Sequence, residues 1–176
     1  MAWIFSLSIE CGTEQSAAEA CAEHFRNFPM TLHTLASKAE VQVFQDFEEN
    51  WWCAVCPTGV SRIGIVTADD ANIMTELGIL LYGRLQSAPA FRYALAGIEV
   101  DEFRTYSELI DDAAELGNQF PGLVLAESVW QAIGSPTAFH PFGSGYVWKR
   151  YEGEIYKPLS ASPDLANKLN AILIAQ

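Results

Sequence analysis

Basic side chains are scarce in this chain. Ten lysines and arginines stand against 22 acids, a formal charge of -12 over 176 residues. A surface with that balance repels phosphate, which argues against general nucleic-acid binding and against docking on anionic membranes, and favours a protein partner with a basic surface. Long apolar runs are missing too: none approaches the roughly 18 residues of a membrane span. Met1 to Glu10 is apolar, but it carries no basic leader and its alternation stops at an acid, so it reads as a strand rather than a secretion signal. Four cysteines are too few for a disulfide scaffold in a chain of this size. Free thiols and a cytoplasmic location are the expectation. Neither an internal repeat nor a low-complexity tract interrupts the sequence.

What is present is apolar patterning. Half the residues are hydrophobic and 18% are charged, a composition that folds. Phe5, Leu7 and Ile9 alternate with Ser6 and Ser8, the two-residue period of a half-buried strand. Ser16 with Glu19 fits a capping box for a helix carrying Ala17, Cys21, Phe25 and Phe28 up to Pro29. Val41, Val43 and Phe47, then Trp51 to Cys56, then Ile63, Ile65 and Val66 suggest an antiparallel meander, with a further strand over Met30 to Ala36.

The chain is organised around the stretch from Thr67 to Val100. Thr67 and Asp70 start a helix on which Ile73, Met74, Leu77, Leu80, Leu81 and Leu85 form one apolar face, and Ala88-Pro89 ends it. A strand from Phe91 follows, and its apolar phase flips at Gly97, where a bulge is the simplest account. This order of strands and helices predicts an α+β fold: an antiparallel sheet with helices packed on it, and a ferredoxin-like (split βαβ) core over residues 1–104.

Residues 105–176 read as a helix/hairpin/helix extension packed on that core in one compact unit. Thr105 with Glu108 caps a helix to Gly117, and a short helix passes through Val129 and Trp130. A loop runs from Ser135 to Gly145, and a hairpin turns at Glu152-Gly153 between Tyr146–Tyr151 and Glu154–Leu159. A last helix starts at Ser162-Pro163-Asp164.

Several residue groups could carry function. Cys53 and Cys56, with Cys21 and His24, have the spacing of a zinc site, but residues three apart on a strand face opposite ways, so buried free thiols and no cofactor are the preferred reading. His140, beside the Gly143-Ser144-Gly145 turn, could act as a general base with Asp101 or Glu102 in a pocket against the 117–150 segment. The aromatic and basic hairpin residues Trp148, Arg150, Tyr151 and Tyr156 are the more suggestive recognition surface, since aromatics and arginine dominate binding hot spots. Trp51-Trp52 adds one indole to each face of its strand, and Trp52 joins His140 among the candidate binding residues. The expectation is a non-catalytic binding or protein-interaction domain. The alternative is a small-molecule-binding domain or small enzyme with a pocket near His140. Pairing of exposed sheet edges between copies of the chain stays open.

Overall fold

The computed structural model describes residues 4–116 and 119–155. The elements follow in the order β1 (Phe5–Glu10), α1 (Gln15–Phe25), β2 (Pro29–Thr31), β3 (Ala36–Gln45), β4 (Trp51–Pro57), α2 (Ala68–Leu85), β5 (Tyr93–Ile98), α3 (Tyr106–Asp111), α4 (Ala113–Leu116), β6 (Val124–Ala126), α5 (Glu127–Ala132), β7 (His140–Gly143) and β8 (Tyr146–Trp148). The eight strands form one sheet in the order β2-β3-β4-β1-β5-β6-β8-β7, and every pairing is antiparallel. The mixed architecture expected from the sequence is therefore present, with the sheet larger than the core alone requires. Among the described residues no helix is long and apolar enough to cross a membrane.

Strand alternation sorts the side chains into two cores. On the near face Phe5, Leu7, Ile9, Cys53 and Val55 meet Ala18, Cys21 and Phe25 of α1 and Met74, Leu77 and Leu81 of α2. Phe5, Leu7 and Ile9 are wholly buried, each stabilising the fold by about 1.5–3 kcal/mol. On the far face Trp52, Tyr93, Leu95, Leu125 and Val147 meet Leu109 of α3, Leu116 of α4 and Val129 of α5. The result is three layers, with helices on both sides of the sheet.

The residues that start helices act as their chemistry dictates, with one exception. Thr67 accepts from the Asp70 amide while the Asp70 carboxylate accepts from the Thr67 amide, and Thr105 with Glu108 repeats the arrangement at α3. Such a cap is worth about 1 kcal/mol. The Ser16 box does not form: α1 begins at Gln15 behind Glu14, whose side chain makes no cap, and Gln15 bonds Glu19 instead.

Four expectations need correction. Ile63 to Val66 makes only an isolated bridge at Ile63, and Ile63 and Val66 are exposed. Gly97 is not a bulge, because β5 keeps its register against β1 through Gly97 and Ile98. The apolar parity changes because both faces are covered: Leu95 belongs to the far-face core and Ile98 packs against the near one, after which Glu99, with a left-handed φ of 57°, feeds a 3-10 turn at Val100–Glu102 that returns Val100 to the far face. The helix after Thr105 breaks at Asp112 into α3 and α4. The hairpin is also displaced. Its turn lies at Gly143 to Gly145, so the segment read as a loop contains β7, and β8 ends at Trp148 rather than running to a turn at Glu152-Gly153. The expected arm beyond Ile155, with Tyr156, and the C-terminal helix lie outside the described residues.

Candidate functional site

The far face is covered unevenly. Helices α3, α4 and α5 lie over β5, β6 and β8, while the β3-β4-β1 portion has, among the described residues, the 3-10 turn, Phe103 and the start of α3 above it. Register explains what fills that portion. Gln42 pairs with Ala54 and Ala54 with Ser8, and Phe44 pairs with Trp52 and Trp52 with Glu10, so one row holds the small Ala54 and Ser8 beside Gln42 and the next holds two aromatics ending on Glu10. Small residues on a sheet face leave a depression, and two adjoining cavities of about 310 and 360 Å³ occupy it. They share Phe44 and Asp101.

The first compartment is lined by Phe44, Phe47, Trp52 and Phe103 together with Asp46, Asp101 and Glu108. Trp52 stacks on Phe44, with ring centroids 6.2 Å apart, and its indole N–H donates to Asp46 Oδ2 at 2.8 Å. Asp46 Oδ1 accepts from the amides of Glu48 and Asn50, both at 2.9 Å. Glu48 accepts from the Thr105 hydroxyl at 2.7 Å and the Ser107 amide at 3.2 Å, tying the β3-β4 turn to the start of α3. All these donors are neutral, so they fix the carboxylates without cancelling their charge. Phe47 stands 81% exposed at the mouth.

The second compartment is lined by Ile4, Ser6, Gln42, Phe44, Ala54, Cys56 and Asp101. Ser6 is 1% exposed and among the described residues its hydroxyl has no hydrogen-bond partner, as is also true of Ser8 one pleat along. A buried hydroxyl left unpaired costs about 1–3 kcal/mol, so Ser6 is an unmet demand on the wall of a cavity. Among the described residues no lysine or arginine lines either compartment, and Arg62 lines a neighbouring cavity that shares Ile4, Gln42 and Cys56 with the second.

Behind this groove lies a buried ion pair. Glu10 is fully buried at the end of β1, where its carboxylate accepts from Arg92 Nε at 2.6 Å, from Arg92 Nη2 and from the Gly12 amide at 3.1 Å. Burial pushes the Glu10 carboxyl up, and the Arg92 hydrogen bond and charge oppose that shift. The Arg92 guanidinium lies 3.9 Å from the centre of the Tyr106 ring, which packs the start of α3 over the pair.

The residues singled out from the sequence do not converge. Trp52 belongs to the far-face groove. Trp148 faces the other way and, with Tyr82 and Phe142, lines a separate near-face cavity of about 630 Å³. Tyr151 is buried under α2, its hydroxyl donating to Glu154 Oε1 at 2.9 Å, while Arg150 is exposed. His140 is exposed on β7, the strand at the sheet edge, three strands from β5, whereas Asp101 follows β5. Among the described residues no hydrogen bond joins His140 to a carboxylate, and the side chain of Glu102 falls outside what is described.

Cys53 sits in the near-face core and Cys56 lines the far-face groove, so the pair is split by the sheet. Among the described residues no group of three or more His, Cys, Asp and Glu side chains is placed to hold a metal ion. The neighbouring Cys21 thiol and burial hold Cys11 well above the usual thiol range, and burial pushes Cys53 up to about 12, so neither is a ready thiolate.

Ser6, Gln42, Phe44 and Phe47 were not found by sequence reasoning, and Asp101 was singled out only as a partner for His140. The alternation of β1 placed Ser6 and Ser8 on the face opposite the core, which was the available signal. No family model matches this chain, and comparison with curated proteins and with solved structures finds no match.

Proposed function

We propose that this chain is a non-catalytic binding protein that holds a basic segment of a partner protein against the open part of its far face. The observation that carries the reading is the pairing of an aromatic floor, Phe44 and Trp52, with Asp46, Asp101 and Glu108 in a groove that no basic side chain lines among the described residues. Lysine and arginine side chains suit such a place twice over, through carboxylate charge and through the faces of aromatic rings. The unpaired Ser6 hydroxyl adds an acceptor for an incoming N–H. The carboxylates favour binding over proton transfer, because Asp46 and Glu108 are held by backbone amides and the Trp52 indole rather than facing a basic partner group.

We read the scaffold as a ferredoxin-like (split βαβ) core in which β1, α1, β3, β4, α2 and β5 are the six elements. The strand order β5-β1-β4-β3, with α1 and α2 together on the near face, supports that reading. β2 extends one edge of the core, and β6, β8 and β7 extend the other.

The test is calorimetric titration with an oligo-arginine peptide and an oligo-glutamate control at low salt. The oligo-arginine peptide should bind saturably, and binding should weaken as salt is raised. The double variant Asp101→Asn with Phe47→Ala, both at exposed positions, should bind about tenfold more weakly with an unchanged melting temperature, because each removes one such contact worth about 0.5–1 kcal/mol. Equal affinity of the variant and the parent chain would remove the groove from the proposal.

A further inference from the structure

The two glycines inside α2 have opposite surroundings. A Cβ on Gly78 would meet the Tyr151 ring and hydroxyl at 2.6–2.9 Å, so close packing accounts for that residue. A Cβ on Gly83 would touch nothing within 4 Å. Glycine in a helix interior is unfavourable relative to alanine, and no neighbour among the described residues requires Gly83 to be small. What Gly83 does is line the 630 Å³ near-face cavity.

That cavity lies between the C-terminal half of α2, the β7-β8 hairpin and the turn after α1. Tyr82, Phe142 and Trp148 form an aromatic floor, with ring centroids 5.0–6.3 Å apart, and Ile79, Leu80 and Phe28 complete the apolar wall. Its volume lies within the range of small-molecule sites. Gln86 ties the two sides together, its side-chain N–H donating to the Phe142 carbonyl at 2.9 Å.

Among the described residues Arg84 is the only charged one in the lining. Its Nε and Nη2 donate to the His24 carbonyl at 3.2 and 2.7 Å, and the guanidinium rests 5.3 Å from the centre of the Phe28 ring. The group is thereby fixed at the rim, and among the described residues Nη1 makes no hydrogen bond. An apolar body over the aromatic floor with one anionic head at Arg84 matches both halves of the cavity.

We propose that this cavity binds a small amphipathic carboxylic acid, its hydrocarbon or aromatic body on Tyr82, Phe142 and Trp148 and its carboxylate on Arg84, with Gly83 keeping the entrance open. The proposal is independent of the far-face groove, since the two sites lie on opposite sides of the sheet.

Decanoate serves as the probe and decanol as its uncharged counterpart, titrated into the full chain by calorimetry. Decanoate should bind saturably with 1:1 stoichiometry and at least tenfold more tightly than decanol. Gly83→Leu should abolish decanoate binding. Gly83→Ala should raise the melting temperature by about 2–4 °C while weakening binding several-fold, which a purely structural glycine would not do. Equal affinity for decanoate and decanol, or decanoate binding that Gly83→Leu leaves intact, would overturn the proposal. So would a dimer in sedimentation that Gly83→Leu dissociates, because the occupant would then be a second copy of the chain.

Discussion

Glu10 is fully buried and depends on Arg92 for its charge. Breaking a buried pair from one side leaves the other charge uncompensated in a medium that solvates it poorly. Arg92→Leu should therefore destabilise the chain by about 3 kcal/mol in urea unfolding, and adding Glu10→Gln should recover most of the loss. A second carboxyl, half-buried, behaves differently. Burial pushes Glu154 up to about 7, with the Tyr151 hydroxyl as its partner and its own amide donating to Thr75. A carboxyl raised in the folded state from an ordinary value near 4.5 favours the fold fully below that value, and the benefit is lost as pH rises through 7. Glu154→Gln should accordingly raise the melting temperature by a few degrees at pH 8, and the gain should vanish near pH 4.5.

At the level of elements, Gly78 lets α2 approach Tyr151, and the structure has no slack there. Gly78→Ala should cost about 1–3 kcal/mol by overpacking, despite the better helix propensity of alanine, and chemical denaturation would read the sign directly. Elements with a strong local signal were legible in the sequence: β1 from its alternation, α2 from Thr67 and Asp70, α3 from Thr105 and Glu108, and the split of Cys53 from Cys56 from strand parity. The hairpin was not, because Glu152-Gly153 resembles a turn and β7 is four residues containing Pro141, too short to show a period. Gly97 was misread for a related reason. A bulge and a regular strand covered on both faces give the same change of apolar parity in the sequence, and only the pairing of Gly97 with Ser6 separates them.

Across the whole molecule, a charge of -12 makes the folded state repel itself. Raising salt from 20 to 200 mM shortens the screening length by roughly threefold and should raise the melting temperature, the reverse of its effect on oligo-arginine binding. The groove was illegible for a reason of the same scale: Ser6, Gln42, Ala54 and Asp101 meet only after β1, β3, β4 and the turn following β5 are assembled, and no local pattern records that meeting. The placement of β1 also has a kinetic side. It sits between β4 and β5, and Phe5 pairs with Ile98, so this wholly buried strand cannot be enclosed until roughly ninety further residues have been synthesised, several seconds or more at about 5–20 residues per second. During translation that strand is an exposed, unpaired edge, which makes the nascent chain, rather than the finished protein, the form most in need of a chaperone.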